Sequence, residues 1–238
     1  MRTPTQAEAQ LTSEPSYARV TQSYYPAILA IFCSLLIISN IGAVKLIEFG
    51  PIITDGGAFL FPLVYITGDV IAEVYGFKAA RKAIFLGFAM SALAAITFLV
   101  VQVSPPAADW PNQEAFEAVL GFVPRIVIAS LCAFLVGQLI NSYVLVKIKE
   151  RTKEKGLWAR LLGSSVLGQI ADTIVFCTIA FYGIITGHEF MVYVLFGFAY
   201  KVAVEVIFLP VTYAVIGFIK RNEPSYGPVT PAVDAEIN

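Results

Sequence analysis

Apolar residues along this chain fall into long runs that are separated by short polar segments, and six such runs can be counted. A helix needs about 20 residues to cross the hydrocarbon of a bilayer, so each run is long enough, the second one barely. The pattern therefore predicts six transmembrane helices. The runs cover residues 25–47, 58–75, 82–103, 119–146, 161–186 and 189–219.

Composition supports a membrane protein. Hydrophobic residues make up 58% of the 238 residues and charged residues only 14%, whereas soluble domains carry about 25% charged residues. We therefore expect an all-α, polytopic membrane protein with one transmembrane domain over residues 25–219. The polar segments 1–24 and 220–238 are expected to be mobile cytoplasmic tails, and the first of them lacks the apolar core of a cleavable signal peptide.

Positive charge predicts the orientation of the chain. Of the 16 Lys and Arg residues, all but three lie in the tails or in the polar segments 76–82 and 147–160. The loops on the opposite side contain none. Because cytoplasmic loops carry the excess of Lys and Arg, both termini should be cytoplasmic. This topology, with contacts to anionic lipid, explains the basic segments more simply than nucleic-acid binding does.

The second run carries two carboxylates in an apolar setting. Tyr65, Asp69 and Glu73 are spaced four residues apart, so on a helix they share one face. An ionised Asp in hydrocarbon costs roughly 2.5–3.5 kcal/mol, so this face must point at protein, water or a ligand. We favour a polar substrate pathway in which Asp69 recognises the substrate. The alternative is a structural ion pair, which for Glu73 would use Lys78, Arg81 or Lys82.

Two similar polar clusters occur in the fourth and fifth runs. Each reads Gly-Gln with Asn or Asp three residues after the Gln, so the polar side chains share one face of a helix. Antiparallel helices would bring both clusters to a similar depth. They are candidates for substrate binding, although Gln and Asn also bond helices together in membranes, for about 0.6–2 kcal/mol. The cluster residues are Gly137, Gln138, Asn141, Gly168, Gln169 and Asp172.

Three further polar residues within the runs are candidates for the site. Lys201 and Glu205 are one helical turn apart, so they could form an ion pair within their helix or take part in coupled transport. Asn40 could cap a broken helix or donate to a ligand. Helix breaks are also predicted by prolines inside three runs, at Pro62, Pro124 and Pro210.

Arrangements typical of catalysis are absent from the sequence. It has one His, no Cys or His pair with the spacing of metal ligands, and no Gly-rich loop that resembles a phosphate cradle. We therefore expect a transporter without catalytic activity, a cofactor or a metal, and without an ATP site of its own.

Five blocks of sequence together point to a known family. They are SNIGAVKLIEFG, FPLVYITGDVIAEVYGFKAARK, GQLINSYV, GQIADTIVF and KVAVEVIFLPVTY. The most specific part is the D-x-x-x-E-x-Y-G pattern that runs from Asp69 to Gly76. These blocks resemble the YhhQ group of queuosine precursor transporters, also called the vitamin uptake transporter (VUT) family, and the resemblance covers most of residues 25–220.

The resemblance implies uptake of 7-deazaguanine bases across the bacterial inner membrane, namely 7-cyano-7-deazaguanine, 7-aminomethyl-7-deazaguanine or queuine. It also implies a six-helix fold like that of the substrate-binding subunits of energy-coupling-factor transporters. Transport would be secondary or facilitated. The alternative is a substrate-binding membrane subunit of a multi-component ATP-driven vitamin importer, and a homodimer is left open.

The candidate residues suit such a ligand. A deazaguanine presents N1–H and the 2-amino group as adjacent donors, which one carboxylate can accept together. Its O6 needs a donor such as a Gln or Asn amide or a Lys, and its flat face suits an aromatic side chain.

Overall fold

Helices form most of the computed structural model, which describes residues 16–21, 23–49, 52–121, 124–153, 155–181 and 187–228. Five of these helices contain a stretch that is long and apolar enough to cross a membrane. The helices are α1 (Tyr25–Gly42), α2 (Phe61–Val103), α3 (Gln113–Leu120), α4 (Pro124–Thr152), α5 (Leu157–Phe181) and α6 (Gly187–Asn222). Short antiparallel strand pairs join β1 (Ser16–Tyr17) to β4 (Gly227–Pro228) and β2 (Leu46–Phe49) to β3 (Ile52–Asp55).

The longest helix, α2, is interrupted at Gly76. The backbone there has φ +79° and ψ 176°, a conformation that glycine adopts at little cost and other residues rarely adopt. We call residues 61–75 α2a and residues 77–103 α2b.

Contacts with Phe32 of α1 show that the chain reverses at this break. A Cβ built on Gly68 or on Gly87 would lie 3.6 Å or 3.1 Å from atoms of the same Phe32 ring. In a straight helix two residues 19 positions apart would be separated by roughly 28 Å. α2a and α2b are therefore antiparallel, as consecutive spanning segments are. The prediction of an all-α polytopic membrane protein is confirmed. The predicted loop at 76–81 is, however, reduced to the single non-helical residue Gly76.

α2a lies at the centre of the helices. Every residue from Gly68 to Gly76 is buried, and α2 packs against α1, α4 and α6. The carboxylates of Asp69 and Glu73, exposed by 3% and 0%, consequently face protein and not lipid.

α4 and α5 pack closely because glycines lie where they cross. A Cβ added to Gly137 would come within 2.7 Å of the Cβ of Asp172, and one added to Gly168 within 2.8 Å of the Cβ of Asn141. The close approach that these glycines suggested in the sequence is therefore present, and it brings the two Gly-Gln clusters face to face.

Helix ends differ from the prediction in two respects. α1 stops at Gly42 instead of residue 47, and the chain continues into the β2–β3 hairpin. Pro62 and Pro124 lie in the first turn of their helices, where the missing N–H has no helical partner to lose. The expectation that they break helices is therefore wrong, and Pro210 alone of the three lies inside a helix.

Parts of both predicted tails pack against the end of the helices where α2 reverses. The Ala18 N–H donates to the Val74 carbonyl at 2.8 Å, and Glu223 accepts hydrogen bonds from the Tyr75 hydroxyl at 2.6 Å and the Tyr24 N–H at 3.1 Å. Burial acts to raise the pKa of the Glu223 carboxyl, but these bonds hold the pKa below its usual value. Residues 16–21 and 223–228 of the predicted tails thus pack against the helices, whereas 1–15 and 229–238 lie outside the described residues.

Candidate functional site

Asp69 of α2a faces the polar cluster of α4. The Asn141 Nδ2 donates to Asp69 Oδ1 at 2.8 Å. Gln138, which is fully buried, lies against the same helix, since a Cβ on Gly68 would be 3.1 Å from its Oε1. The absence of a side chain at Gly68 therefore lets Gln138 reach the level of Asp69.

The cluster of α5 joins the same group of side chains. The Tyr65 hydroxyl donates to Gln169 Oε1 at 3.4 Å, and Glu205 of α6 lies beside Ser165 and Gln169. Side chains from four segments, α2a, α4, α5 and α6, thus meet in one polar cluster.

Much of the hydrogen-bonding capacity of this cluster is unused by the described residues. Several of its polar atoms are buried and lack a hydrogen-bond partner there. Buried polar groups in proteins are almost always paired, with protein, water or a ligand, because leaving one unpaired costs about 1–3 kcal/mol. The atoms without a hydrogen bond of ordinary geometry are Gln138 Nε2 and Oε1, Asn141 Oδ1, Ser165 Oγ, Gln169 Nε2 and Glu205 Oε2. The last three belong to side chains that lie close together.

A narrow cavity between α2a and α6 opens onto the cluster. Its interior is small, with room for about one water molecule. Asp69 and Glu205 supply its charged groups, and the aromatic rings of Phe61, Tyr65 and Phe208 supply apolar walls. An apolar cavity with a few converging polar groups is typical of a small-molecule site.

Lys201 does not pair with Glu205, contrary to the expectation of an ion pair within one helix. Its Nζ instead donates to Asp172 Oδ2 of α5. Asp172 is buried, so it needs a counter-charge, and the packing of α5 on α6 brings Lys201 within reach. This leaves Glu205 free to face the cavity.

Glu73 lies one turn beyond Asp69, in an ion cluster at the end of the helices where α2 reverses. Arg160 donates to both of its carboxylate oxygens, at 2.5 Å and 2.9 Å, and Lys220 donates to Oε1 at 2.6 Å. Lys149 lies 3.7 Å from Oε1 and donates to the Glu73 carbonyl at 2.5 Å. The expected partners Lys78, Arg81 and Lys82 are wrong, since all three are exposed.

The sequence does not reveal these basic partners, because Lys149, Arg160 and Lys220 lie in its polar segments. The spacing of Asn141, Leu145 and Lys149, four residues apart, does place Lys149 on the same face of α4 as Asn141. This spacing could have indicated that Lys149 points towards the polar cluster. All four charged groups of the cluster are at least four-fifths buried. They join α2a, α4, α5 and α6 on one side of the cavity.

Asn40 is placed apart from the cluster. It lies half-buried in the last turn of α1, and among the described residues it takes no part in the hydrogen bonds that connect the cluster. Of the ten residues predicted for the site, Asn40 and Glu73 are thus separated from a group of eight. Those eight are Tyr65, Asp69, Gln138, Asn141, Gln169, Asp172, Lys201 and Glu205.

Comparison with known proteins identifies the family. Residues 55–215 match the family model described as "Putative vitamin uptake transporter". No solved structure matches the chain.

Named relatives come from several bacteria. The chain is 33% identical over 190 residues to the "Probable queuosine precursor transporter" of Bacillus subtilis, covering 79% of this chain and 82% of that protein. It is 26% identical over 166 residues to the "Queuosine precursor transporter" of Escherichia coli, covering 68% of this chain and 72% of that protein.

Proposed function

Because this chain belongs to the vitamin uptake transporter family, we propose that it takes up queuosine precursors, the 7-deazaguanine bases, into the cell. The relatives that bear the name queuosine precursor transporter support this substrate class. The observation that carries the proposal is the cluster of buried and unpartnered polar atoms beside the cavity of α2a and α6.

The chemistry of the cluster matches the edge of such a base. Asp69 can accept the ligand's N1–H and 2-amino group together, because a carboxylate offers two oxygens to two adjacent donors. Amides of Gln138 or Gln169 can donate to O6. The rings of Phe61 and Tyr65, whose centroids are 6.0 Å apart, provide flat apolar surface for the base.

The cavity is too narrow to admit a base without movement of its walls. Helices α2a and α6, which line it, would have to separate slightly for the ligand to enter. The ion cluster of Glu73 closes the site at the end where α2 reverses. A closed conformation of this kind is expected of a transporter that opens alternately to each side of the membrane.

Orientation follows from the distribution of charge. Most of the Lys and Arg residues lie at one end of the helices. This end contains the reversal at Gly76, the α4–α5 connection and both described tail segments. We assign this end to the cytoplasm and the protein to the bacterial inner membrane, where it acts as a secondary or facilitated transporter.

An uptake assay with cells that can neither make nor import 7-deazaguanines tests the proposal. Producing this protein and supplying 7-cyano-7-deazaguanine outside should restore queuosine in tRNA. Asp69→Asn should abolish the recovery at an unchanged level of membrane protein, since the amide places a donor opposite the ligand's donors. Glu114→Gln, which alters an exposed carboxylate of α3, is the matched control. Failure of the parent protein to restore queuosine would contradict the proposal, and full activity of Asp69→Asn would remove Asp69 from the site.

A further inference from the structure

Two carboxylates face the cavity, and the cations near them are engaged elsewhere. Asp69 of α2a and Glu205 of α6 both line the cavity. Lys201, one turn from Glu205, donates to Asp172 of α5. Glu73, one turn from Asp69, is held by cations of the ion cluster. Among the described residues, no Lys or Arg forms an ion pair with Asp69 or Glu205.

A neutral polar group next to this pair is also loosely paired. Gln169 is fully buried and its side chain lies close to the Glu205 carboxylate, but Gln169 Nε2 and Glu205 Oε2 make no hydrogen bond of ordinary geometry with the described residues. Because Glu205 lines the cavity, these two loosely paired groups lie beside the space in which a ligand would bind.

Two ionised carboxylates in one water-poor cavity repel each other and lose their hydration, so such pairs in proteins commonly share a proton. We propose that Asp69 and Glu205 hold one proton between them and that the base binds to this singly protonated pair. The proposal rests on the proposed function, because it takes a 7-deazaguanine as the ligand.

The two carboxyl groups then have different tasks. Asp69, which already accepts a hydrogen bond from Asn141, is the ionised member in this proposal, and its two oxygens accept the N1–H and the 2-amino group of the base. Glu205 carries the proton, and its O–H donates to O6. The base is neutral, and the proton stays on Glu205 when the base enters, so base and proton occupy the cavity together. By linkage, removal of the proton must weaken binding of the base.

The dissociation constant of 7-cyano-7-deazaguanine, measured on the purified full-length protein from about pH 5.5 to about pH 8.5, tests this proposal. Affinity of the parent should fall with rising pH, by up to tenfold per unit above the apparent pKa of the pair, as for loss of one proton. Glu205→Gln keeps a donor at this position but cannot ionise, so it should bind at all pH values with no such slope. Glu114→Gln should keep the slope of the parent.

A parent affinity that is independent of pH would overturn the proposal, as would a Glu205→Gln variant with the slope of the parent. Calorimetry of the parent in two buffers of different ionisation enthalpy gives a second measurement that needs no variant. Above the apparent pKa it should detect uptake of up to one proton per base bound, and uptake of none would contradict the shared proton. If the parent binds no base at any pH, the proposed function fails as well.

Discussion

Replacement of Glu73 by Gln should lower the stability of the protein and leave the affinity of the folded fraction for its substrate nearly unchanged. The Glu73 side chain is fully buried and accepts three hydrogen bonds from Arg160 and Lys220. An amide of the same shape would remove the negative charge that these cations share and would present N–H groups to them.

The magnitude follows from the partners that each cation keeps. Removing one member of a buried ion pair typically costs about 3–5 kcal/mol. Lys149 would retain its bonds to the carbonyls of Ser16 and Glu73, at 2.7 Å and 2.5 Å. Arg160 would retain its bond from Nη1 to the Lys155 carbonyl at 3.0 Å. We therefore expect a loss of about 3 kcal/mol, which for a chain of this size lowers the melting temperature by roughly 6–12 °C.

Thermal melting of the detergent-solubilised protein, followed by the fraction that remains monodisperse, measures this loss. Glu114→Gln, in an exposed position on α3, should melt like the parent. Binding of 7-cyano-7-deazaguanine by the folded Glu73→Gln protein should stay within about threefold of the parent. A melting temperature within one or two degrees of the parent, or a loss of binding in fully folded protein, would refute the structural role of Glu73.

Three further predictions follow from the contacts. Gly137→Ala should destabilise the protein by about 1–3 kcal/mol, because the added Cβ would overlap Asp172. The control Gly163→Ala, whose Cβ would lie 3.8 Å from Ile148, should melt like the parent. Equal melting temperatures of the two variants would contradict the close crossing of α4 and α5. Binding of 7-cyano-7-deazaguanine should be weakened tenfold or more by each of three substitutions, Gln138→Ala, Asn141→Ala and Gln169→Ala, while the protein remains folded. If these variants instead bind normally but melt at a lower temperature, the cluster serves only to hold the helices together. Single cysteines at residues 150–156 should react with an impermeant reagent only after the cells are opened, and reaction in intact cells would reverse the assigned orientation.

Spanning segments and the polar faces of the site could be predicted from the sequence because each depends on local spacing. Six apolar runs give the spans, and the four-residue spacing of Tyr65 and Asp69 places them on one face. The paired Gly-Gln clusters predict a close crossing of two helices, since Gly137 and Gly168 lack the Cβ atoms that would prevent it.

Partner choice between helices could not be predicted in the same way. Lys201 has Glu205 one turn away on its own helix, yet it pairs with Asp172, because packing of α5 on α6 offers a buried carboxylate that the sequence spacing does not reveal. The partners of Glu73 come from α4, α5 and α6. The packing of the tail segments likewise depends on contacts between residues more than 190 positions apart, such as Tyr24 and Glu223.

Direct binding of two ligands to the purified protein tests the central claim, that the cavity recognises the edge of a 7-deazaguanine. The pair is 7-cyano-7-deazaguanine and the analogue that lacks only the 2-amino group. If Asp69 accepts N1–H and the 2-amino group together, the analogue should bind at least tenfold more weakly, as for loss of one hydrogen bond to a charged acceptor. Equal affinity for the two ligands, or no binding of 7-cyano-7-deazaguanine, would contradict this account of the site.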